Sequence, residues 1–327
     1  MELSGRPLFD NPVDAGLFVK RKEEALIKAN ARGGINTLLF GDRGSGKTSL
    51  LRHVLFELRE EEFPAIGVDA GPVEGPLHLI RLIVGSIGRV RIESPRIDEI
   101  SAAGLNETAA VLNELKKLRP DSNSKEPRTA LFVDLPAGAK TLHQLFGRFR
   151  DELWQLPYTW IVAAPIQLRV DLLTPPADAF FEEVVELSPL NYDQQEELIA
   201  KRLDPGEKTP WRLPIDGEEN PRHLLEVVRE SIRAGVAPEQ RIRAQAEREK
   251  EVASLGRGAS MLYSELQEVG PASASDEELL NRLGWSRQRA ARVFGELEQA
   301  GFVRADKKAA ESGRPRKVFS IVPPLGR

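Results

Sequence analysis

Ile35-Asn36-Thr37-Leu38-Leu39-Phe40-Gly41-Asp42-Arg43-Gly44-Ser45-Gly46-Lys47-Thr48-Ser49-Leu50-Leu51 is the stretch on which the reading of this chain turns. Ile35 to Phe40 is a short apolar run of the kind that forms a buried strand. From Lys47 onward, Leu50, Leu51, Val54, Leu55 and Leu58 recur at helical spacing. Between them, Gly41 to Thr48 fits GxxxxGK[ST], and strand before, helix after is the context that gives this motif meaning. Glycines let the backbone wrap an anion, so that amide N–H groups and a helix N-terminus face a phosphate. Gly41, Asp42, Arg43, Gly44, Ser45 and Gly46 form that cradle. Lys47 is the cation for the β and γ phosphates and Thr48 offers its hydroxyl to Mg²⁺.

Working outward, strands are expected at 63–68, 130–135, 159–164 and 184–187. Helices are expected at 77–90, around Leu112 to Leu118, and at 141–156. Arg119 to Arg128 reads as a mobile loop. Strands alternating with helices predict an α/β fold built on a parallel sheet covered on both faces. Leu131-Phe132-Val133-Asp134 ends the third strand in a carboxylate, and Asp134 is the expected Mg²⁺ partner. Asp69 is the rival, one strand too far from the loop. Asp134 is followed by Leu135 rather than an acid, so a base to activate water is missing and slow hydrolysis is expected. After Pro189 the pattern is helical only: 192–203, 221–234, and a charged segment, 239–252, read as a solvated connecting helix.

With these motifs in place, the chain resembles the AAA+ and STAND branch of P-loop ATPases, origin-recognition-type initiators in particular, over about residues 8 to 236. Leu17-Phe18-Val19-Lys20-Arg21-Lys22-Glu23-Glu24 is similar to the FVGRxxE segment that borders adenine in that family, with Lys20 in place of glycine. The resemblance therefore implies ATP/ADP as ligand, with Val19 and Arg21 at the base. Glu218-Glu219-Asn220-Pro221-Arg222 resembles the lid motif GNPRxL, which implies that Arg222 is the arginine reporting on the γ-phosphate. Two family features depart. Trp160 to Pro165 is apolar where a polar sensor stands at the end of the fourth strand, and Arg169 is a weak candidate for an arginine finger.

The sequence has 327 residues, no cysteine, four histidines and a net charge of −4. Absence of cysteine excludes disulfides, thiolate metal sites and cysteine nucleophiles. No apolar run approaches the ~18 residues of a membrane span, and Met1 to Asp14 carries charges unlike a signal peptide, so no membrane contact and a cytoplasmic protein are expected. The charge is uneven: residues 284–327 hold ten Lys/Arg against four acids, net +6, which leaves −10 for residues 1–283. Such asymmetry suggests that one end meets a polyanion.

That basic end has its own pattern. Ser275 to Glu278 fits a capping box opening one helix, and Ser286 caps a second, from Arg287 to Ala300. In the second helix Ala290, Val293, Phe294 and Leu297 take the core face. Gln288, Arg292, Gly295 and Gln299 lie opposite, with Arg289 at the edge. A strand, a basic turn with Lys307 and Lys308, and a second strand through Arg314, Arg316 and Lys317 follow. The whole strongly resembles a winged-helix DNA-binding domain, which implies a recognition helix in the major groove and a wing on phosphates.

The expected organisation is a P-loop core at 1–190, a helical lid at 191–236, a linker helix at 237–257 and an α+β winged helix-turn-helix domain at 258–327. The function expected is an ATP-binding switch with weak or partner-dependent ATPase activity that controls duplex-DNA binding. The alternative is a STAND-like signalling ATPase that forms a homo-oligomer on ATP and docks a protein partner through the winged helix.

Overall fold

A computed structural model of the chain describes residues 3, 5–71, 73, 75–90, 107–118, 128–135, 139–203, 211, 220–308 and 316–322. Within these the chain divides into two compact units, Met1–Glu226 and Val227–Arg327.

The first unit begins with α1 (Pro12–Gly16) and α2 (Lys22–Gly33), then β1 (Thr37–Gly41), α3 (Lys47–Glu60), β2 (Ala65–Asp69), α4 (Pro76–Val90) and α5 (Glu107–Lys117). It continues with β3 (Thr129–Asp134), α6 (Ala139–His143), α7 (Arg150–Trp154), β4 (Tyr158–Pro165), α8 (Arg169–Leu172), β5 (Glu183–Glu186), α9 (Tyr192–Ala200) and the start of α10 (Pro221–Ala234). The five strands form one parallel sheet in the order β2-β3-β4-β1-β5. This is the P-loop NTPase fold. The inner strands β1, β3 and β4 are apolar almost throughout because both faces are covered, whereas the edge strand β5 begins and ends in Glu183 and Glu186. Leu38, Phe40, Val133, Trp160 and Val162 point into one core with α4 and α6, while Leu39, Phe132, Ile161 and Ala163 point into the other with α2 and α3. That alternation is the period of two of a strand.

The helix expected over 141–156 is broken. A π-turn at Gln144–Arg148 separates α6 from α7, and it lets Leu145, Phe146 and Phe149 all enter the core. Residues 119–127, expected as a loop, lie outside the described set.

The second unit contains α11 (Pro238–Ser254), α12 (Arg257–Val269), α13 (Glu277–Leu283), α14 (Arg287–Gln299), β6 (Val303–Lys308) and β7 (Arg316–Ile321). The strands pair antiparallel, and Ala272 bridges Phe319 on the outer side of β7. Ala290, Val293, Phe294 and Leu297 are all buried, as their spacing requires, and Phe294 stacks on Phe319 with ring centroids 4.2 Å apart. Two local readings need correction. Asp276, not Ser275, caps α13: Oδ1 of Asp276 accepts from the N–H of Leu279, while Ser275 Oγ pairs with Ser273 Oγ. The charged helix α11 is not solvated along its whole length. Val252 is buried in the core of this unit, and the Arg248 guanidinium lies 5.1 Å over the Phe302 ring while donating to the Gly301 carbonyl. No helix among the described residues is long and apolar enough to cross a membrane.

Asn36 fixes the entry to β1. Its Oδ1 accepts from the backbone N–H of Trp160, its Nδ2 donates to the Phe180 carbonyl, and its own carbonyl accepts from Glu182 N. The residue is 5% exposed, so water cannot replace those partners. Asn36→Ala should therefore cost about 1–3 kcal/mol in urea unfolding, the range for a buried group stripped of its partner. A loss of only a few tenths would show that the register is held by strand packing alone.

Candidate functional site

The motif at Gly41 to Thr48 forms the connection between β1 and α3 at the C-terminal edge of the sheet, where ligands bind in open α/β sheets. Gly44 and Gly46 have φ of 85° and 99°, left-handed values that favour glycine. At Gly44 there is a second constraint: a Cβ there would meet Asn220 Oδ1 at 2.7 Å and Arg222 Cβ at 2.8 Å. Gly41 ends β1, and Asp42 and Arg43 are exposed at the outer turn of the loop. Ser45 is buried, and its Oγ makes no hydrogen bond among the described residues. An orphaned hydroxyl inside a glycine loop fits an anion that is to be received there.

Lys47 folds back over the loop. Its Nζ donates to the carbonyls of Gly41 and Asp42, each at 2.8 Å. Burial pushes its pKa down, Arg222 adds to that, and Asp134 and Asp42 oppose it. The Thr48 hydroxyl donates to Asp134 Oδ2 at 2.6 Å, which brings together the two groups expected to share Mg²⁺. Burial pushes the Asp134 carboxyl up, against the Thr48 hydrogen bond and the Lys47 charge, and Asp69 on the next strand pushes it further up. A half-buried carboxylate beside a hydroxyl at a phosphate loop fits Mg²⁺, which takes few protein ligands and completes its shell with phosphate and water. Held by Thr48 and Asp134, such an ion would supply positive charge to a bound phosphate chain.

Asp69 lies one strand beyond Asp134, in register with it on the edge strand β2. It is largely exposed and pairs with Arg52 at 2.9 Å. Leu135 is fully buried. At the end of β4, Trp160 to Ala164 are buried and apolar as read, but Gln167, two residues past the strand, points Nε2 at Asp42 Oδ1 at 3.5 Å. Sequence reasoning stopped at the strand and missed it. Arg169 is tied to Glu186 of its own chain at 2.6 Å.

A cleft open to solvent lies beside the loop. One wall is Gly44 to Ser49. The other is apolar, from Leu17, Phe18, Val19, Leu187, Leu190 and Leu198. Val19 and Arg21 both line it and both are buried, and the Arg21 guanidinium donates to the Ser188 carbonyl, which pins the 17–21 segment to the exit of β5. Two further contributors carried no sequence signal. Arg6 and Leu8 line the cleft, with Leu8 N bonded to Ser49 Oγ at 3.2 Å. Arg6 holds the buried Asp14 carboxyl down to about 2.

Asn220 meets the loop from the start of α10. It caps α10, accepting from the N–H of Arg222 and His223, and its Nδ2 donates to the Arg43 carbonyl at 2.9 Å. The backbone N–H of Arg222 in turn donates to the Gly44 carbonyl at 3.3 Å. Arg222 is thus brought to the phosphate loop. Asn220 itself was legible as an Asn-Pro helix start but not as a contact.

In the second unit Gln288, Arg289 and Arg292 are exposed on α14. Arg289 lies 4.5 Å over the Trp285 ring, Arg292 is 3.6 Å from Glu296, and Lys317 pairs with Glu298 at 2.7 Å. Lys307 and Lys308 fall inside β6, not in a turn, paired in register with Lys317 and Arg316. Arg314 lies outside the described residues.

The Lys47 ammonium bonds to two loop carbonyls and supports no core packing, so Lys47→Ala should remove ATP binding and shift unfolding free energy by no more than about 0.5 kcal/mol. Titration with a fluorescent ATP analogue, alongside thermal melting, checks both parts. Undiminished affinity in the folded variant would overturn the assignment.

No protein-family model and no curated protein matches the chain. The chain is similar to the solved structure of Orc1 from Aeropyrum pernix in complex with DNA, at 18% identity and TM-score 0.47, covering 93% of this chain and 90% of that one. It is similar to Cdc6p from Pyrobaculum aerophilum at 16% identity and TM-score 0.46, covering 95% and 94%. AMPPCP-bound DnaA from Aquifex aeolicus is a third such structure, at 15% identity and TM-score 0.40, covering 90% and 93%.

Proposed function

We propose that this chain is an ATP-controlled switch: a P-loop ATPase core with a helical lid that binds ATP or ADP with Mg²⁺ and regulates duplex-DNA binding by a C-terminal winged helix. The observation that carries the nucleotide half is the meeting of three segments at one loop. Thr48 meets Asp134, Lys47 lies over the loop, and Asn220 and Arg222 dock on Gly44 and Arg43. Because the first turn of α10 rests on the phosphate loop, a nucleotide that reshapes the loop must act on that helix.

Hydrolysis in this reading is slow. The position after Asp134 is the buried Leu135, and Asp69, the carboxylate beside Asp134 on the sheet, is engaged by Arg52. Steady-state turnover by the isolated protein should fall below about 1 s⁻¹, the low end of ordinary enzymes. A faster rate without any partner would mean that a competent base is present.

The DNA half rests on the exposed Gln288, Arg289 and Arg292 of α14 and on Lys307, Lys308, Arg316 and Lys317 at the far end of the β6–β7 ribbon. A recognition helix and a basic ribbon are the two contacts such a domain makes with base edges and phosphates. The second reading, a STAND-like signalling ATPase that oligomerises on ATP and docks a protein, is favoured by one feature. Arg292, Arg304 and Lys317 each have an acidic neighbour in Glu296, Asp306 and Glu298. Each such pair, though weak, offsets part of the basic charge that duplex DNA would need.

Salt separates the two. For the full chain with ATP, duplex affinity should fall linearly on a log–log plot against salt. Replacing Lys307 and Lys308 with Ala should flatten the slope by about 0.9 for each phosphate left without its cation. Arg292→Ala should cost about 1–3 kcal/mol on a preferred site. Absence of salt-dependent duplex binding, together with ATP-driven self-association seen by gel filtration, would give first place to the signalling reading.

A further inference from the structure

Outside the nucleotide cleft, α2 and α3 bring together three side chains: Glu24, which ends the FVGRxxE-like segment, and His53 and Glu57, which belong to no motif. Glu24 on α2 and His53 and Glu57 on α3 place one carboxylate oxygen, one imidazole nitrogen and a second carboxylate oxygen all within 4.8 Å of one another. His53 and Glu57 are four residues apart, so they share a helix face. Glu24 is only 7% exposed, and its Oε2 makes no hydrogen bond among the described residues. Nδ1 of His53 is likewise buried and without a hydrogen bond there. Buried polar atoms without a partner are uncommon in folded proteins and call for an explanation such as an ion.

Phe18 and Lys28 border the three donors. Phe18 stacks on the His53 ring at 3.9 Å with an interplanar angle of 13°, which fixes the plane of the imidazole. Lys28 Nζ lies 2.7 Å from Glu57 Oε2 but also 2.9 Å from Glu61 Oε1, so Lys28 keeps an anionic partner if Glu57 turns to another cation. Burial pushes the Glu24 carboxyl up, Glu57 adding to it and Lys20 and Lys28 opposing it; burial pushes the His53 imidazole down, Lys28, Lys201 and Lys20 adding to it and Glu57 opposing it. The donor set then selects the ion. Mg²⁺ and Ca²⁺ take oxygen ligands, whereas an imidazole with two carboxylates suits zinc, cobalt, nickel or copper.

We propose that Glu24, His53 and Glu57 form a binding site for a divalent transition-metal ion of the zinc class, clamping α2 to α3 beside Phe18. Ligand distances near 2.0–2.2 Å need the three donors to draw in, and Glu57, the most exposed of them, has the freedom to do so. Water completes the shell. The ion is separate from the Mg²⁺ expected at Thr48 and Asp134, and the proposal does not depend on the nucleotide reading.

The test uses the full chain, free of nucleotide and stripped of metal with a chelator. Zn²⁺ is titrated by calorimetry, and Co²⁺ is followed by its visible absorption. The expected result is one tight Zn²⁺ per chain, weakened at least tenfold in Glu57→Gln and in His53→Ala and unchanged in Asp134→Asn. Zn²⁺ should also raise the melting temperature of the wild type and not that of Glu57→Gln, since an ion that binds only the folded state stabilises it. Glu57 is partly exposed, so Glu57→Gln keeps the test decisive if His53→Ala fails to fold. No stoichiometric Zn²⁺ binding by the wild type, undiminished binding in Glu57→Gln, or loss of binding in Asp134→Asn would each overturn the proposal.

Discussion

A single hydrogen bond of 2.6 Å, from the Thr48 hydroxyl to Asp134 Oδ2, joins residues 86 positions apart in sequence. For it to form, β4 must lie between β1 and β3, and it does: Asp134 is level with Ala163, and Ala163 is level with Leu39. The loop after Gly41 then curls back over the sheet edge so that the first turn of α3 meets the end of β3. Buried apolar residues on both faces of the sheet hold that level, which is why the polar contact at its edge can be so close. The charges around it are half-desolvated, with Asp134 pushed up and Lys47 pushed down by the same burial. Each charge is partly offset by the other, and a magnesium nucleotide would offer a further counter-charge to both.

What the sequence made legible was whatever is written locally. The Gly-Lys-Thr loop, the apolar run ending at Asp134 and the helical spacing of Ala290, Val293, Phe294 and Leu297 each occupy a few consecutive residues, and all stand where their spacing puts them. What stayed hidden depended on partners distant in sequence. Ser275 fits the capping-box pattern, but the chain turns into helix one residue later and Asp276 takes the role. The charge of α11 suggested a solvated helix, yet Val252 docks its last turns onto the core of its unit. Lys307 and Lys308 read as turn residues by composition, whereas pairing with Lys317 and Arg316 keeps them in the strand. Gln167 and the 6–8 segment reach the site only through the fold, and nothing in their local sequence marks them.

Asn220 shows how such distant contacts shape the site. It is a helix cap, a donor to the phosphate loop and a steric neighbour of Gly44, all with one short side chain. A left-handed glycine is thus required at 44 for two reasons: the backbone conformation of the loop and the approach of Asn220 and Arg222. The two cannot be separated, because any movement that opens the loop changes the distance to Asn220.

That coupling bears on whether the chain works as a motor or a switch. A motor needs groups that make hydrolysis fast, and here the position that commonly supplies a base is filled by a leucine packed at full burial, with its N–H spent on the Ala163 carbonyl. The carboxylate on the neighbouring strand is turned to Arg52, and Arg169 is turned to Glu186. The polar contacts around the cleft are of another kind: Thr48 to Asp134, Lys47 to the loop carbonyls, Arg21 bracing the apolar wall and Asn220 on the Arg43 carbonyl, which the proposed function reads as recognition. Binding energy spent on holding a ground state shifts a conformational equilibrium rather than lowering a barrier. Under the proposed function, the loop would hold a nucleotide, and the contact of Asn220 and Arg222 with that loop would pass its presence to the first turn of α10.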